Sequence, residues 1–160
     1  MAGFTSLRVL DIIPGTSVDG PGLRTTIYFA GCPHHCEGCH NPQSWNPEGG
    51  RVMTADEILD VVEDNGFNVT FSGGDPLLQI DALLPLAAAI RRRGYNIWLY
   101  TGYTFEQIAA SPRLRPVLDA VDVVVDGPFI LSLRDTGLRF RGSSNQRVLY
   151  CPSGHPWDED

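Results

Sequence analysis

Positive charge is scarce in this sequence: 12 basic residues face 19 acidic ones, for a net charge of −7. A fold built to grip phosphate backbones is usually basic, so nucleic-acid binding is not expected. Long apolar runs are missing too. The longest, from Leu83 to Ile90, is interrupted by Pro85 and too short to span a bilayer, so no membrane partner is expected. No apolar core of useful length precedes Asp11; the N-terminus lacks a signal-peptide profile and the chain reads as cytoplasmic. Cysteines are few, four in all, and they are not spread along the chain as a disulfide framework closing long loops would be. Internal repeats and low-complexity linkers are absent.

What is present suits one domain over residues 1–160, with a genuine core: 160 residues, 42% hydrophobic and 19% charged. The 17 glycines and 12 prolines gather in short clusters between apolar runs, which predicts tight connections. Residues 25–30 (TTIYFA) are β-branched and aromatic and predict a buried strand, followed by a loop over 31–50. Thr54 and Glu57 form a capping box for a helix to about Asn65, with Gly66 as its stop. A strand over 68–72 follows, and then a helix from Asp81 as cap to Arg93, its terminal arginines suiting the negative end of the helix dipole. Further strands are expected at 95–101, 121–126 and 147–150, with short helical pieces over 104–119.

This alternation argues for an α/β fold with a parallel sheet and right-handed crossovers. The chain is too short for the roughly 250 residues of eight βα units, so the expectation is an open, incomplete TIM-like barrel with mostly parallel strands. In such sheets chemistry gathers at the carboxyl ends of the strands. Those ends are Gly31–Cys39, Ser72–Asp75, Thr101–Tyr103 and Asp126–Pro128.

Cys32, Cys36 and Cys39 place three soft thiolates on one short loop, a set that suits an iron–sulfur cluster or zinc. Three ligands leave one iron of a [4Fe–4S] cluster open, and an open position usually means chemistry. Structural zinc, with His34, His35 or His40 as fourth ligand, is the alternative. The separated second ligand pair common in zinc sites is missing, which favours the cluster. Cys151 stands apart and reads as a small buried thiol.

The spacing C-x3-C-x2-C after a first strand resembles the radical S-adenosylmethionine superfamily. The resemblance implies a cluster whose unique iron is chelated by the methionine moiety of S-adenosylmethionine. Electron transfer then breaks a sulfur–carbon bond and releases a 5′-deoxyadenosyl radical. The superfamily often has an aromatic before the third cysteine; here Gly38 occupies that position, which turns the expected adenine contact to His40 or Asn41. Ser72-Gly73-Gly74-Asp75-Pro76 is similar to the superfamily's Gly-Gly-Glu-Pro element and implies that Gly73, Gly74 and Asp75 receive the cofactor's amino group.

Asp19-Gly20-Pro21-Gly22-Leu23-Arg24 resembles a hallmark of enzymes that activate glycyl radical proteins; by that likeness Asp19 and Arg24 face the partner's glycine loop or the cofactor. The stretches Tyr100–Thr104, Val125–Phe129 and Arg139–Arg147 narrow the likeness to the activators of anaerobic ribonucleotide reductase. That family implies the reductase as partner and a reduced flavodoxin or ferredoxin as electron donor. A related activator implies a monovalent cation near Thr101 and Asp126. Activation of a formate-lyase-type enzyme and a zinc-stabilised binding module are the competing readings. Arg134, Arg139, Arg141 and Arg147 form a basic strip suited to docking or cofactor contact, and Trp45 and Trp157 are expected to pack.

Overall fold

A computed structural model describes residues 6–34 and 46–158. In chain order its strands are β1 (Ser6–Thr16), β2 (Arg24–Phe29), β3 (Arg51–Thr54), β4 (Asn68–Gly73), β5 (Ile97–Tyr100), β6 (Val123–Asp126) and β7 (Arg147–Tyr150). They form one sheet in the order β3-β1-β2-β4-β5-β6-β7. The centre, β2-β4-β5-β6, is parallel, as the alternating pattern predicts. Both flanks are antiparallel: β1 pairs with β2 and β3, and β7 with β6. The sheet is therefore mixed, parallel at its core and open along β3 and β7, as an incomplete barrel requires.

Two strands were not expected. β1 and β3 lie in stretches where only Leu7, Val9 and Met53 are buried, too few to leave an apolar run in the sequence. They form because a parallel strand at the edge needs partners for its exposed backbone groups.

The helices α1 (Ala55–Asn65), α2 (Ile80–Arg92), α3 (Phe105–Ala110) and α4 (Val117–Ala120) complete the elements that position the site. The capping box at Thr54 is formed in full, and Gly66 ends α1 in the left-handed conformation. At α2 the expected cap is displaced: Asp81 lies inside the first turn, and Asp75 instead caps a 3₁₀ turn over Pro76–Gln79 that leads into the helix.

Alternation along the strands sorts their side chains by face. Ile27, Phe29, Val69, Phe71, Ile97, Leu99 and Val124 join Ile58, Leu83, Leu86 and Ile90 of the helices in the main core. The opposite face carries Arg24, Thr26, Tyr28, Thr70, Trp98 and Tyr100. Trp98, Val123 and Val125 anchor a second cluster there, sealed by edge-to-face contacts among Trp98, Phe140 and Trp157. Trp157 thus packs, as expected, while Trp45 lies outside the described residues. Among the described residues no helix is long and apolar enough to cross a membrane.

Replacing Thr54 by alanine removes the hydroxyl that accepts from the Glu57 amide, leaves the backbone bond to the Glu57 carboxylate, and should lower stability by about 1 kcal/mol. Urea unfolding would show this as a lower midpoint with an unchanged slope; an unmoved midpoint would mean that the cap contributes nothing.

Candidate active site

The carboxyl ends of β2, β4, β5 and β6 surround a cavity of about 330 Å³. Cys32, Ser72, Gly73, Gly74, Thr101 and Gly102 line its edge, and Tyr28 and Tyr100 its wall. Gly73 is demanded by the backbone: its φ is +107°, and a Cβ there would collide with the main chain of Phe29. A second, outer cavity of about 680 Å³ adjoins the first, sharing Asp19, Tyr100 and Gly142 and adding Arg139 and Arg141.

Of the cysteine trio, Cys32 stands half-buried on the inner cavity. Cys36, Cys39 and His40 lie outside the described residues. His34, two residues after Cys32, points its Nε2 at the Asp75 carboxylate, 2.7 Å away. Tyr103 meets the same imidazole edge-on at 4.6 Å between centroids.

Asp75 is fully buried, and its carboxylate is turned into the protein. The amides of Leu77 and Gly102 donate to it at 3.0 Å each, and the Thr101 hydroxyl at 2.9 and 3.1 Å. The side chain expected to receive an ammonium group thus has protein donors around it. Ser72, Gly73 and Gly74 do reach the cavity.

Asp126, expected beside a cation, is likewise committed elsewhere. Arg147 donates to it from its backbone amide and guanidinium, and the amide of Phe105 donates at 2.8 Å. Asp126 and Arg147 face each other across the β6–β7 ladder, and Glu106 takes a further bond from Arg147. Thr101, the other side chain expected near a cation, is bonded to Asp75. Arg147 thereby leaves the basic strip, and only Arg139 and Arg141 of that strip line a cavity.

Asp19 and Arg24 part company. Asp19 borders both cavities, and its carboxylate accepts from the hydroxyls of Tyr28 and Thr26 at 3.1 and 3.2 Å. Arg24 is 1% exposed at the amino end of β2 and does not line either cavity. Its guanidinium donates to Thr70 Oγ1, the Val69 carbonyl and Asn96 Oδ1 at 2.7–2.8 Å, beneath the Trp98 ring. Thr70 in turn donates to the Asp19 carbonyl at 2.7 Å, so Arg24 holds the 19–24 turn from below instead of meeting a ligand. Burial lowers its pKa to about 10.

Burial also pushes the Tyr28 hydroxyl up to about 12, with Asp19 adding to the shift, and raises that of Tyr100 further still. The Tyr100 hydroxyl is buried and has no hydrogen-bond partner among the described residues. Cys151 packs against the core away from the cavity, and burial pushes its thiol up to about 12.

Residues 18–149 match the family model described as a 4Fe-4S single cluster domain. Among curated proteins the chain is similar to the anaerobic ribonucleoside-triphosphate reductase-activating protein of Escherichia coli strain K12. The two are 37% identical over 145 residues, spanning 84% of this chain and 93% of the relative. The protein of that name from Haemophilus influenzae is 33% identical over 89% of this chain and 97% of its own length. Its counterpart in Enterobacteria phage T4 is 34% identical over 93% and 97% respectively. Among solved structures, QueE from Escherichia coli superposes with a TM-score of 0.55 over 64% of this chain and 55% of its own, at 19% identity, a likeness of fold.

The tyrosines and Cys151 set an alkaline limit. In the folded chain they keep protons that the unfolded chain releases from about pH 9 upward, so the folded state binds more protons there. Stability should fall as pH rises from about 9 towards 12, partly offset above pH 10 by Arg24, whose lowered pKa acts in the opposite direction. Melting temperatures between pH 8 and 11 under reducing conditions would show the decline, and Tyr28→Phe should flatten it. Identical slopes for both proteins would exclude Tyr28 as a source.

Proposed function

The chain belongs to the family of anaerobic ribonucleoside-triphosphate reductase-activating proteins, and from that membership we propose that it is a radical S-adenosylmethionine enzyme that places a glycyl radical on an anaerobic ribonucleotide reductase. The observation that carries this reading is the inner cavity, which brings Cys32 and the backbone of Ser72–Gly74 together at the carboxyl edge of the parallel strands. The thiolates of Cys32, Cys36 and Cys39 would hold the [4Fe–4S] cluster. When bound and reduced, the cluster with S-adenosylmethionine supplies an electron and a 5′-deoxyadenosyl radical, chemistry that no side chain can provide.

The residues present fit these groups. Gly73 and Gly74 let a ligand approach the main chain closely. A volume of about 330 Å³ falls within the range of small-molecule sites.

The chain's own part is to bind, orient and exclude water. Cys32 fixes where the cluster sits relative to Gly73 and Gly74. Tyr28 and Tyr100 form an aromatic wall of the cavity. Asp19 stands where the inner cavity meets the outer one, through which a glycine-bearing segment of the partner would approach. A reduced flavodoxin or ferredoxin would deliver the electron, in the cytoplasm.

Protein purified without oxygen and reconstituted with iron and sulfide should show a reduced-cluster EPR signal that changes on adding S-adenosylmethionine, with formation of 5′-deoxyadenosine. Mixing with anaerobic ribonucleotide reductase should then yield a glycyl radical, and Cys32→Ala should abolish both products. Zinc without iron or acid-labile sulfide, or a cluster indifferent to the cofactor, would overturn the reading.

A further inference from the structure

We propose that Asp75 is a positioning residue that acts through His34, latching the loop that carries Cys32 onto the carboxyl edge of the sheet. Its importance for a cluster rests on the function proposed above; its geometry does not.

An ionised carboxylate offers about four lone-pair sites. At Asp75 the donors are the Leu77 amide, the Thr101 hydroxyl, the Gly102 amide and His34 Nε2, all within 3.1 Å. The carboxylate is fully buried, while the His34 side chain is 18% exposed. An incoming ammonium group would have to displace one of these donors and leave it buried and unpaired.

The donors come from different parts of the chain. Leu77, Thr101 and Gly102 belong to turns anchored directly at strand ends. His34 belongs to the loop, and it is the piece being held.

The main chain of Asp75 grips the same loop a second time. Its amide donates to the Gly31 carbonyl at 2.7 Å. One residue therefore fastens position 31 through its backbone and position 34 through its side chain, with Cys32 in between. The His34 ring is seated as well as bonded. Its edge meets Tyr103, and it lies so close over Gly102 that a Cβ there would collide with it. Outer groups that orient a ligand-bearing segment are typically worth 10–100-fold in metal affinity, which is the scale expected here.

The test uses full-length His34→Ala, His34→Gln, Asp75→Glu and the double variant His34→Ala/Asp75→Glu. After anaerobic reconstitution, iron loss to a chelator should quicken about tenfold in His34→Ala and in Asp75→Glu. The double variant should be no faster than either single one, because both remove the same link. His34→Gln, which keeps a donor, should restore most of the retention.

The proposal is overturned if iron loss is unchanged in His34→Ala. It is equally overturned if Asp75→Glu, which preserves an acceptor for an ammonium group, retains iron as wild type does. Should the wild-type chain take up no iron, the functional reading fails, and the latch is judged in the iron-free chain. There, hydrogen exchange at residues 31–34 and at Gly102 should accelerate in His34→Ala, and equal protection would refute the latch.

Discussion

A carboxylate taken wholly out of water costs several kcal/mol unless protein donors replace the solvent. Asp75 is the residue on which that constraint falls hardest, and the active edge is arranged around it. Its donors arrive from the loop after β2, from its own turn after β4 and from the turn after β5. They can meet only if the three strands end level with one another. The parallel registers meet that condition: Phe29 lies beside Gly73, and Phe71 beside Leu99. Gly73 makes the closest of these approaches, its missing side chain leaving room for the Phe29 backbone.

The amino-end half of the same face obeys a second constraint. Arg24 buries a guanidinium to which no carboxylate among the described residues is bonded, and carbonyl and hydroxyl oxygens take the place of a counter-ion. The Trp98 ring lies over the charge, an arrangement favoured where water is excluded. Phe140 and Trp157 then close around Trp98. With that half filled, the inner cavity lies towards the carboxyl ends, where Cys32 and Ser72–Gly74 converge.

The parallel centre was legible in the sequence because four apolar strands separated by capped helices leave a strong pattern. Thr54 with Glu57 and the Gly66 stop needed nothing beyond local chemistry. The antiparallel flanks were not legible: β1 and β3 contribute three buried hydrophobic side chains between them, and their pairing depends on residues far along the chain. At the site, residue type and strand end identified Cys32, Ser72, Gly73, Gly74 and Thr101 as neighbours. Where each acidic side chain would turn was a different matter. Asp75 lies just beyond β4 and Asp126 is the last residue of β6, where alternation gives no further guidance. Asp126 is claimed by Arg147 across an antiparallel register, and Asp75 by His34, which the sequence presented as one of three histidines in the cysteine loop.

The contacts of the two acids bear on what the cavity offers. A site built to move protons normally exposes a group whose pKa is tuned to the working pH. Here Asp75 and Asp126 are consumed by protein contacts, and Tyr28 and Tyr100 are held neutral by burial. Asp19, the acid that does face the space, is tied to Tyr28 and Thr26 at the junction with the outer cavity. The inner lining combines thiol, hydroxyl, backbone and aromatic surface with the His34 imidazole, itself bonded to Asp75. Hydrogen-atom transfer asks for no acid–base assistance. What that reaction demands is a fixed distance between the radical source and its target, together with exclusion of water. Fastening the cysteine loop on both sides of Cys32 serves the first requirement, and the filled, aromatic floor of the sheet serves the second.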